Sequence, residues 1–353
     1  MKTLTVALPG REYDILIERG LLARAGTLCK AALPRARKLA VVTDANVGPL
    51  YAQQVKTSLE QAGFAVQVTT LPAGEHTKCM ENLSALWESF MTFGLTRTDA
   101  VVALGGGVIG DLAGFAASTV LRGVDFVQIP TTLLAQVDSS VGGKVAIDLK
   151  AGKNLAGAFW QPKLVLMDPD VLNTLDDKTF ADGMAEVIKY GCIRDGAFFA
   201  FLEQHPSRAK IMAEIEYILY TCCNLKQEVV IEDERDTGVR MLLNFGHTVG
   251  HAYELAGNYE LWTHGQAVAA GMVKAARLGL ALGVTPDGTP QRITALLERF
   301  GLPTAIDCTH RQYADAIGLD KKGSGENISL ILLEAVGKAI ARKMPKAEVL
   351  DLL

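Results

Sequence analysis

The stretch Asp99-Ala-Val-Val-Ala-Leu-Gly105-Gly106-Gly107-Val-Ile-Gly110-Asp111-Leu-Ala-Gly114-Phe-Ala-Ala117 decides the fold. It reads as a buried strand, a glycine turn and a helix of small residues. Glycines let the backbone approach a pyrophosphate closely, and a helix N-terminus offers free N–H groups and the positive end of its dipole. Gly105, Gly107 and Gly110 satisfy G-x-G-x-x-G, a pattern of low specificity alone. Here it follows at least three other strand candidates, and Asp125, about twenty residues on, opens a strand instead of closing one.

Working outward, strand-like runs fall at Leu4–Leu8, Asp14–Ile17, Leu39–Thr43, Ala65–Thr70, Ala100–Leu104, Phe126–Ile129 and Leu164–Met167, with helical patterns such as Tyr51–Ala62 and Glu81–Phe93 between them. Several strands are continuously apolar and rich in Val and Ile, as strands covered on both faces are. This alternation predicts βαβ units and a largely parallel sheet, with the first two strands forming an added hairpin around Pro9-Gly10. After about residue 175 helical periodicity takes over, at Asp182–Gly191, Ala209–Glu232, Thr248–Leu255, Gly265–Leu282 and Thr289–Phe300, and only Ile328–Leu333 reads as a late strand. The expected architecture is an α/β nucleotide-type domain over residues 1–178 and a mainly α-helical domain over 179–353, with the active site in the cleft between them.

Composition bounds the chemistry. The chain has 353 residues, 49% hydrophobic and 21% charged, with a net charge of −4. That balance gives no global basic field, so nucleic acid is not an expected partner, whereas a local pocket can still take a small anion. The six cysteines include no C-x-x-C and read as reduced, buried thiols. No signal peptide and no apolar run of about 18 residues is read, so the expectation is a cytoplasmic chain without a membrane helix.

Asp44, just after Leu39–Thr43 and beside Asn46, is a candidate ribose ligand that would favour NAD over NADP; an ordinary helix N-cap is the competing reading. Pro130-Thr131-Thr132-Leu-Leu-Ala-Gln136-Val-Asp138-Ser139-Ser140-Val-Gly142-Gly143-Lys144 clusters hydroxyls, a carboxylate, glycines and a lysine as a phosphate or polyol site would, and Gly152-Lys153-Asn154 repeats that chemistry. Solvated loop charges are the competing reading for Asp138, Lys144 and Lys153.

Histidine is scarce, six in the chain, and half of them fall within eighteen positions: His247, His251 and His264. His247 and His251 stand i, i+4 on one helix face, and imidazole is a common metal ligand. Glu186, set among Ala185, Val187 and Ile188 with Lys189 one turn on, would complete a His₂Glu set with an open position, the pattern of catalytic zinc. A helix-surface Glu–Lys pair is the competing reading. The spacing alone does not select which two histidines join Glu186, and Thr248 stands where H-E-x-x-H has its glutamate. His76, His205 and His310 read as core or cap residues.

Together these segments resemble the 3-dehydroquinate synthase family over nearly the full length: Gly74-Glu75-His-Thr-Lys78, Gly105–Asp111, Arg122-Gly123, Pro130–Lys144, Gly152–Gly157, Gly183–Gly191, Arg240–Thr248 and His264-Gly265. The resemblance implies a Rossmann-like N-terminal domain, a C-terminal helical domain, NAD, a divalent metal (Zn²⁺ or Co²⁺) and a homodimer. It implies Glu186, His247 and His264 as metal ligands. It implies an NAD site from Asp44, Asn46, Gly74, Glu75, Lys78, Gly106, Gly107, Val108, Ile109, Gly110, Asp111, Thr131, Thr132, Lys144, Lys153 and Thr174. The substrate, 3-deoxy-D-arabino-heptulosonate 7-phosphate (DAHP), would meet Arg122, Asp138, Lys144, Asn154, Lys189, Lys226, Arg240, Asn244 and His251. Asp320-Lys321-Lys322 matches the family's lysine segment. Gln266, Val145 and Asp148 depart from the family's usual Glu, Thr and Asn, and are expected to tune supporting hydrogen bonds. The rivals are another sugar-phosphate cyclase, which Arg240 and Lys226 disfavour because they suit a substrate carboxylate, a metal-dependent NAD polyol dehydrogenase, and a non-catalytic nucleotide-binding module.

Overall fold

The computed structural model describes residues 1–236, 238–319 and 325–353. The chain forms two compact units, Met1–Leu175 with Leu219–Ile231, and Asp176–Ile218 with Glu232–Leu353. A single cut at residue 178 does not provide for the return of 219–231 to the first unit. Buried apolar side chains of that segment, from Leu219 to Val230, account for the return, and Cys223 Sγ donates to Gln136 O at 3.3 Å.

The first unit runs β1 (Lys2–Val6), β2 (Tyr13–Ile17), α1 (Ala25–Ala32), β3 (Lys38–Asp44), α2 (Gln53–Gln61), β4 (Ala65–Leu71), α3 (Met80–Thr92), β5 (Ala100–Gly105), α4 (Gly107–Thr119), β6 (Asp125–Pro130), β7 (Lys144–Leu149), β8 (Gly152–Phe159) and β9 (Leu164–Met167). Seven strands make one sheet in the order β1-β2-β9-β6-β5-β3-β4. All neighbours are parallel except β1 and β2, which form the expected hairpin. The β5 strand is buried at every position, as a central parallel strand covered by helices must be. Phe90, Phe126, Ile109 and Leu112 lie fully buried in the core beside it, each contributing about 1.5–3 kcal/mol. Because β4 pairs on one side of β3 and β5 on the other, the strand order reverses at β3/β5. Open α/β sheets bind ligands at the carboxyl ends of the strands at such a point. The β7–β8 hairpin is an addition to the expected elements; it starts at Lys144, where the polar segment ends, and includes Gly152-Lys153-Asn154.

The second unit is helical: α5 (Asp177–Ile193), α6 (Gly196–Gln204), α7 (Arg208–Ala213), α8 (Ile215–Glu232, completed in the first unit), α9 (His247–Ala256), α10 (His264–Ala281), α11 (Thr289–Glu298), α12 (His310–Leu319) and α13 (Lys346–Leu352). It also holds an antiparallel pair, β10 (Asn327–Ala335) with β11 (Lys338–Pro345), so the late strand has a partner that escaped notice. β11 carries Lys338, Arg342 and Lys343 and is exposed or half-buried at all but one position, which hides any alternation. The single helix expected over 209–232 breaks at Glu214, which leaves helical geometry at φ −108°, ψ 15°. Among the described residues no helix is long and apolar enough to cross a membrane. The Asp320–Lys322 segment lies outside the described residues.

Candidate active site

In the first unit, β3 and β5 run in register (Val42 opposite Ala103) and end at Asp44 and Gly105. Their carboxyl ends therefore bring the ribose candidate and the glycine turn to the switch point. Asp44 Oδ1 accepts from Asn46 N at 2.8 Å and Val47 N at 3.0 Å, a local turn ahead of the helical turn Gly48–Ala52, whose N-cap is Val47 and has no side-chain cap. The α4 helix begins at Gly107 after Gly106 with no side-chain cap and no acidic residue in its first turn, which leaves its N–H groups facing outward for an anion. A Cβ at Gly106 would stand 3.1 Å from Thr132 and one at Gly107 3.1 Å from Ser139 Oγ. Gly105 is needed for internal packing, since a Cβ there would meet Ile109 at 2.7 Å. Ile109 belongs to the core, so of the turn only its backbone is at the ligand side. Thr131 Oγ1 is buried without a hydrogen-bond partner, as a residue awaiting a ligand oxygen would be. Thr174 Oγ1 lies 2.7 Å from the Tyr51 hydroxyl.

Around Lys78 the first unit buries an ion cluster. Lys78, 3% exposed, donates to Asp111 Oδ2 at 2.9 Å, Asn154 Oδ1 at 2.5 Å and Glu75 Oε1 at 3.3 Å, and stands 3.9 Å from Asp148 Oδ1. Burial opposes its charge, but Asp111 and Glu75 outweigh burial and raise the ammonium's pKa. Burial likewise raises the carboxyls of Asp111 and Asp148 against the pull of Lys78. Asn154, held at φ +54°, also donates its N–H to Asp148 Oδ1 at 2.7 Å. Asp148, one of the family departures, thus ties the β7–β8 hairpin to this cluster. Val145, another, is a packing residue with no polar side-chain atom: its Cγ1 would lie 2.4 Å from a Cβ at Gly114, so it tunes no hydrogen bond. Lys153 Nζ stands 3.9 Å from Glu75, Lys144 is exposed, and Gly74 (φ +106°) turns the chain into Glu75.

The polar segment after β6 passes through a π-helical turn, Ala135–Ser139, and then Gly142 and Gly143, both left-handed. Asp138 is not a solvated loop charge: the buried Lys226 donates to its carbonyl oxygen at 2.5 Å and its Oδ1 at 2.8 Å. Arg122 is exposed on a left-handed backbone (φ +71°), with the Trp160 indole N–H donating to Val124 O at 3.0 Å just beyond it.

In the second unit, Glu186 and Lys189 are fully buried and in direct ionic contact on α5, which replaces the surface-pair reading. Glu186, His247 and His264 form the only set of three among the described residues whose ligand atoms all lie within 4.8 Å of one another. Nε2 of each histidine stands 3.7 Å from Glu186 Oε1. His247 Nδ1 meets Phe245 O at 3.3 Å, and His264 Nδ1 meets Glu254 Oε1 at 3.4 Å. Both rings thus turn Nε2 to a common point, where the buried Oε1 of Glu186 has no hydrogen-bond partner while Oε2 contacts Lys189. Tetrahedral zinc ligands stand about 3.3 Å apart, so about 0.4 Å of closure would suit a metal. Burial, then the Lys189 charge, lower the His247 pKa well below that of a free imidazole. Burial would lower His264 too, but its contacts with Glu186 and Glu254 prevail and raise it.

His251 is exposed, its ring 5.6 Å from that of His247 and outside the ligand set. Arg240 is buried and donates to Glu234 O at 2.6 Å, and Asn244 closes the 3-10 turn before α9. Gln266 forms a capping box with Thr263: Thr263 N donates to Gln266 Oε1 at 3.1 Å, so this departure keeps the helix start intact. His205, read as a core or cap residue, is the C-cap of α6, its Nδ1 2.7 Å from Phe201 O and its ring stacked on Phe201 at 4.0 Å. Sequence reasoning missed Glu254. Its signal is position, seven residues after His247 and so on the same helical face.

Two family models match the chain in succession, 3-dehydroquinate synthase N-terminal over residues 68–182 and 3-dehydroquinate synthase C-terminal over 183–323. The chain belongs to the 3-dehydroquinate synthase family. It is 48% identical over 343 residues to a 3-dehydroquinate synthase of Clostridium botulinum, covering 97% of this chain and 98% of that one. Among solved structures, 2-deoxy-scyllo-inosose synthase complexed with carbaglucose-6-phosphate, NAD⁺ and Co²⁺ aligns at a TM-score of 0.90 with 25% identity, covering 99% of each chain. The 2-epi-5-epi-valiolone synthase from Streptomyces hygroscopicus with NAD⁺ and Zn²⁺ bound aligns at 0.87 with 26% identity, covering 96% of this chain and 95% of that one. The protein is therefore an enzyme of the 3-dehydroquinate synthase family with the fold of the sugar-phosphate cyclases.

Proposed function

We propose that the protein converts DAHP to 3-dehydroquinate and phosphate, using NAD and a divalent cation, Zn²⁺ or Co²⁺. The convergence of Glu186, His247 and His264, with Glu186 Oε1 facing both histidines and lacking a hydrogen-bond partner, carries the reading. When bound, the cation polarises a substrate oxygen and NAD accepts and returns a hydride. The uncapped α4 N-terminus, Thr131 and the Lys78 cluster hold the nucleotide, with Asp44, Asn46, Gly74, Thr132, Lys153 and Thr174 around it. Lys144, Asn154, Arg122 and Asp138 bind phosphate and hydroxyls, and Arg240 with Asn244 and Lys226, the last held by Asp138, takes the carboxylate. His251, exposed one turn beyond a ligand, moves protons, and Lys189 balances the buried Glu186 charge. In this reading the protein is a cytoplasmic homodimer.

The test is incubation with DAHP, NAD and Zn²⁺ or Co²⁺. Phosphate release with no net NADH is expected, because oxidation of the substrate is reversed before product leaves. No phosphate release, or NADH formed in step with turnover, overturns the proposal, and the second outcome selects the dehydrogenase reading.

A further inference from the structure

The His264 ring lies between two buried carboxylates. One of them, Glu186, sits 3.7 Å from Nε2 and shares its neighbourhood with a second imidazole, His247. The other, Glu254, is 3% exposed and sits 3.4 Å from Nδ1 on the opposite edge of the ring. A carboxylate cannot donate when ionised, so the edge of an imidazole that faces it must carry the N–H. With a metal in place of a proton between Nε2 and Glu186, the one N–H of the neutral ring falls to the edge facing Glu254, and the Nε2 lone pair is left for the ligand point. His247 has only a neutral carbonyl, Phe245 O, behind its Nδ1, so the two histidines are held unequally.

We infer that Glu254 is a positioning residue of the metal centre, setting the tautomer and orientation of His264. The inference rests on the metal reading above. Its structural basis is that α9 carries His247 and, seven residues on, the group that aims a ligand belonging to α10. The ring can be aimed only if the start of α10 is itself fixed. Gly265 N donates to Asp182 Oδ1 at 2.6 Å, one turn before Glu186 on α5, and a Cβ on Gly265 would fall 2.1 Å from Asp182 O. The backbone beneath His264 is thus pinned, and Glu254 governs the remaining freedom, rotation of the ring. Carboxylates that receive the second N–H of a ligating histidine also raise its basicity, and losing one costs about 10–100-fold in metal affinity.

The experiment is Co²⁺ titration of metal-free full-length protein, with Kd from competition with a chelating indicator and the visible absorption of the bound ion as a second readout. E254Q keeps the shape of the side chain and is expected to weaken Co²⁺ binding about tenfold, with E254A nearer a hundredfold. A changed Co²⁺ absorption band in E254Q is the accompanying signature of an altered ligand field. Circular dichroism checks that each variant is folded; if E254A is not, E254Q decides. An E254Q Kd within twofold of the unsubstituted chain, with an unchanged band, overturns the inference. Failure of the unsubstituted chain to bind Co²⁺ at all would instead sink the metal reading itself.

Discussion

Lys78→Met removes the cation from the buried cluster of the first unit while keeping most of its apolar stem. Lys78 is 3% exposed and holds Asp111, Glu75 and Asn154 within 3.3 Å. Removing one partner of a buried ion pair costs about 3–5 kcal/mol, because the other charge stays buried without compensation. The side chains of Asp111 and Asp148 are 18% and 22% exposed, so water screens part of the loss and the low end, about 3 kcal/mol, applies. At about 2–4 °C per kcal/mol for a unit of this size, the Tm should fall about 6–12 °C. The sign with pH follows from linkage. The raised pKa of Lys78 contributes stability that is fully present below about 10.4 and is lost only as pH rises through the higher folded value. Burial already raises the carboxyls of Asp111 and Asp148, and without Lys78 they rise further. An acid with a raised folded pKa loses stability as pH climbs from its unfolded value, about 3.9, through its folded one. The deficit of the variant is therefore smallest near pH 4 and grows towards neutrality. Thermal unfolding of nucleotide-free protein across pH 4–8 measures this, and adding Asp111→Asn should recover part of the loss. A fall below about 2 °C at neutral pH, or a deficit that shrinks as pH rises, refutes the reasoning.

Three further outcomes are expected. His264→Ala should abolish tight Co²⁺ binding whereas His251→Ala should leave it intact and slow turnover; equal metal loss in both, measured by chelator competition, refutes the ligand assignment. Gly265→Ala drives a Cβ to 2.1 Å from the backbone oxygen of Asp182, which cannot swing away, and should cost about 1–3 kcal/mol and weaken metal binding, read by Tm and titration. Gln266→Glu retains the acceptor of the capping box and places a negative charge in the first turn, so stability should change by no more than about 1 kcal/mol in its favour, checked by Tm.

The parallel sheet was legible because its strands are covered on both faces: β5 and β9 are apolar at every buried position and could be nothing else. The β7–β8 hairpin was not, because its strands carry the polar residues of a site and β8 alternates only between exposed and half-buried positions. The same logic hid β11. In the site, residue types announced themselves where the chemistry is unusual, as with a glutamate among aliphatic residues at Glu186. They did not where a familiar residue has an unusual neighbour. Asp44 reads as ligand or cap from sequence, and the hydrogen bonds of its Oδ1 to Asn46 and Val47 are local contacts that either reading permits. Glu254 shares a helical face with His247, but its role was hidden because its partner, His264, comes from the next helix.

The choice between His251 and His264 shows what a spacing rule omits. An i, i+4 pair shares a helix face, but a metal site also needs the face opposite. Two helices must approach closely for a ring from α10 to reach the ligand point of α9, and glycines permit it. A Cβ at Gly271 would meet Gly246 O at 2.1 Å, and one at Gly250 would meet Ala267 O at 3.1 Å. Gly246, left-handed at φ +81°, starts α9 directly against α10, since a Cβ there would meet Met272 N at 2.8 Å. With the helices in near backbone contact, the His264 ring comes to 5.2 Å from His247, closer than His251 at 5.6 Å on the same helix. The glycines at 246, 250 and 271 act through packing: they set the helix separation that the distant histidine needs and the neighbouring one does not.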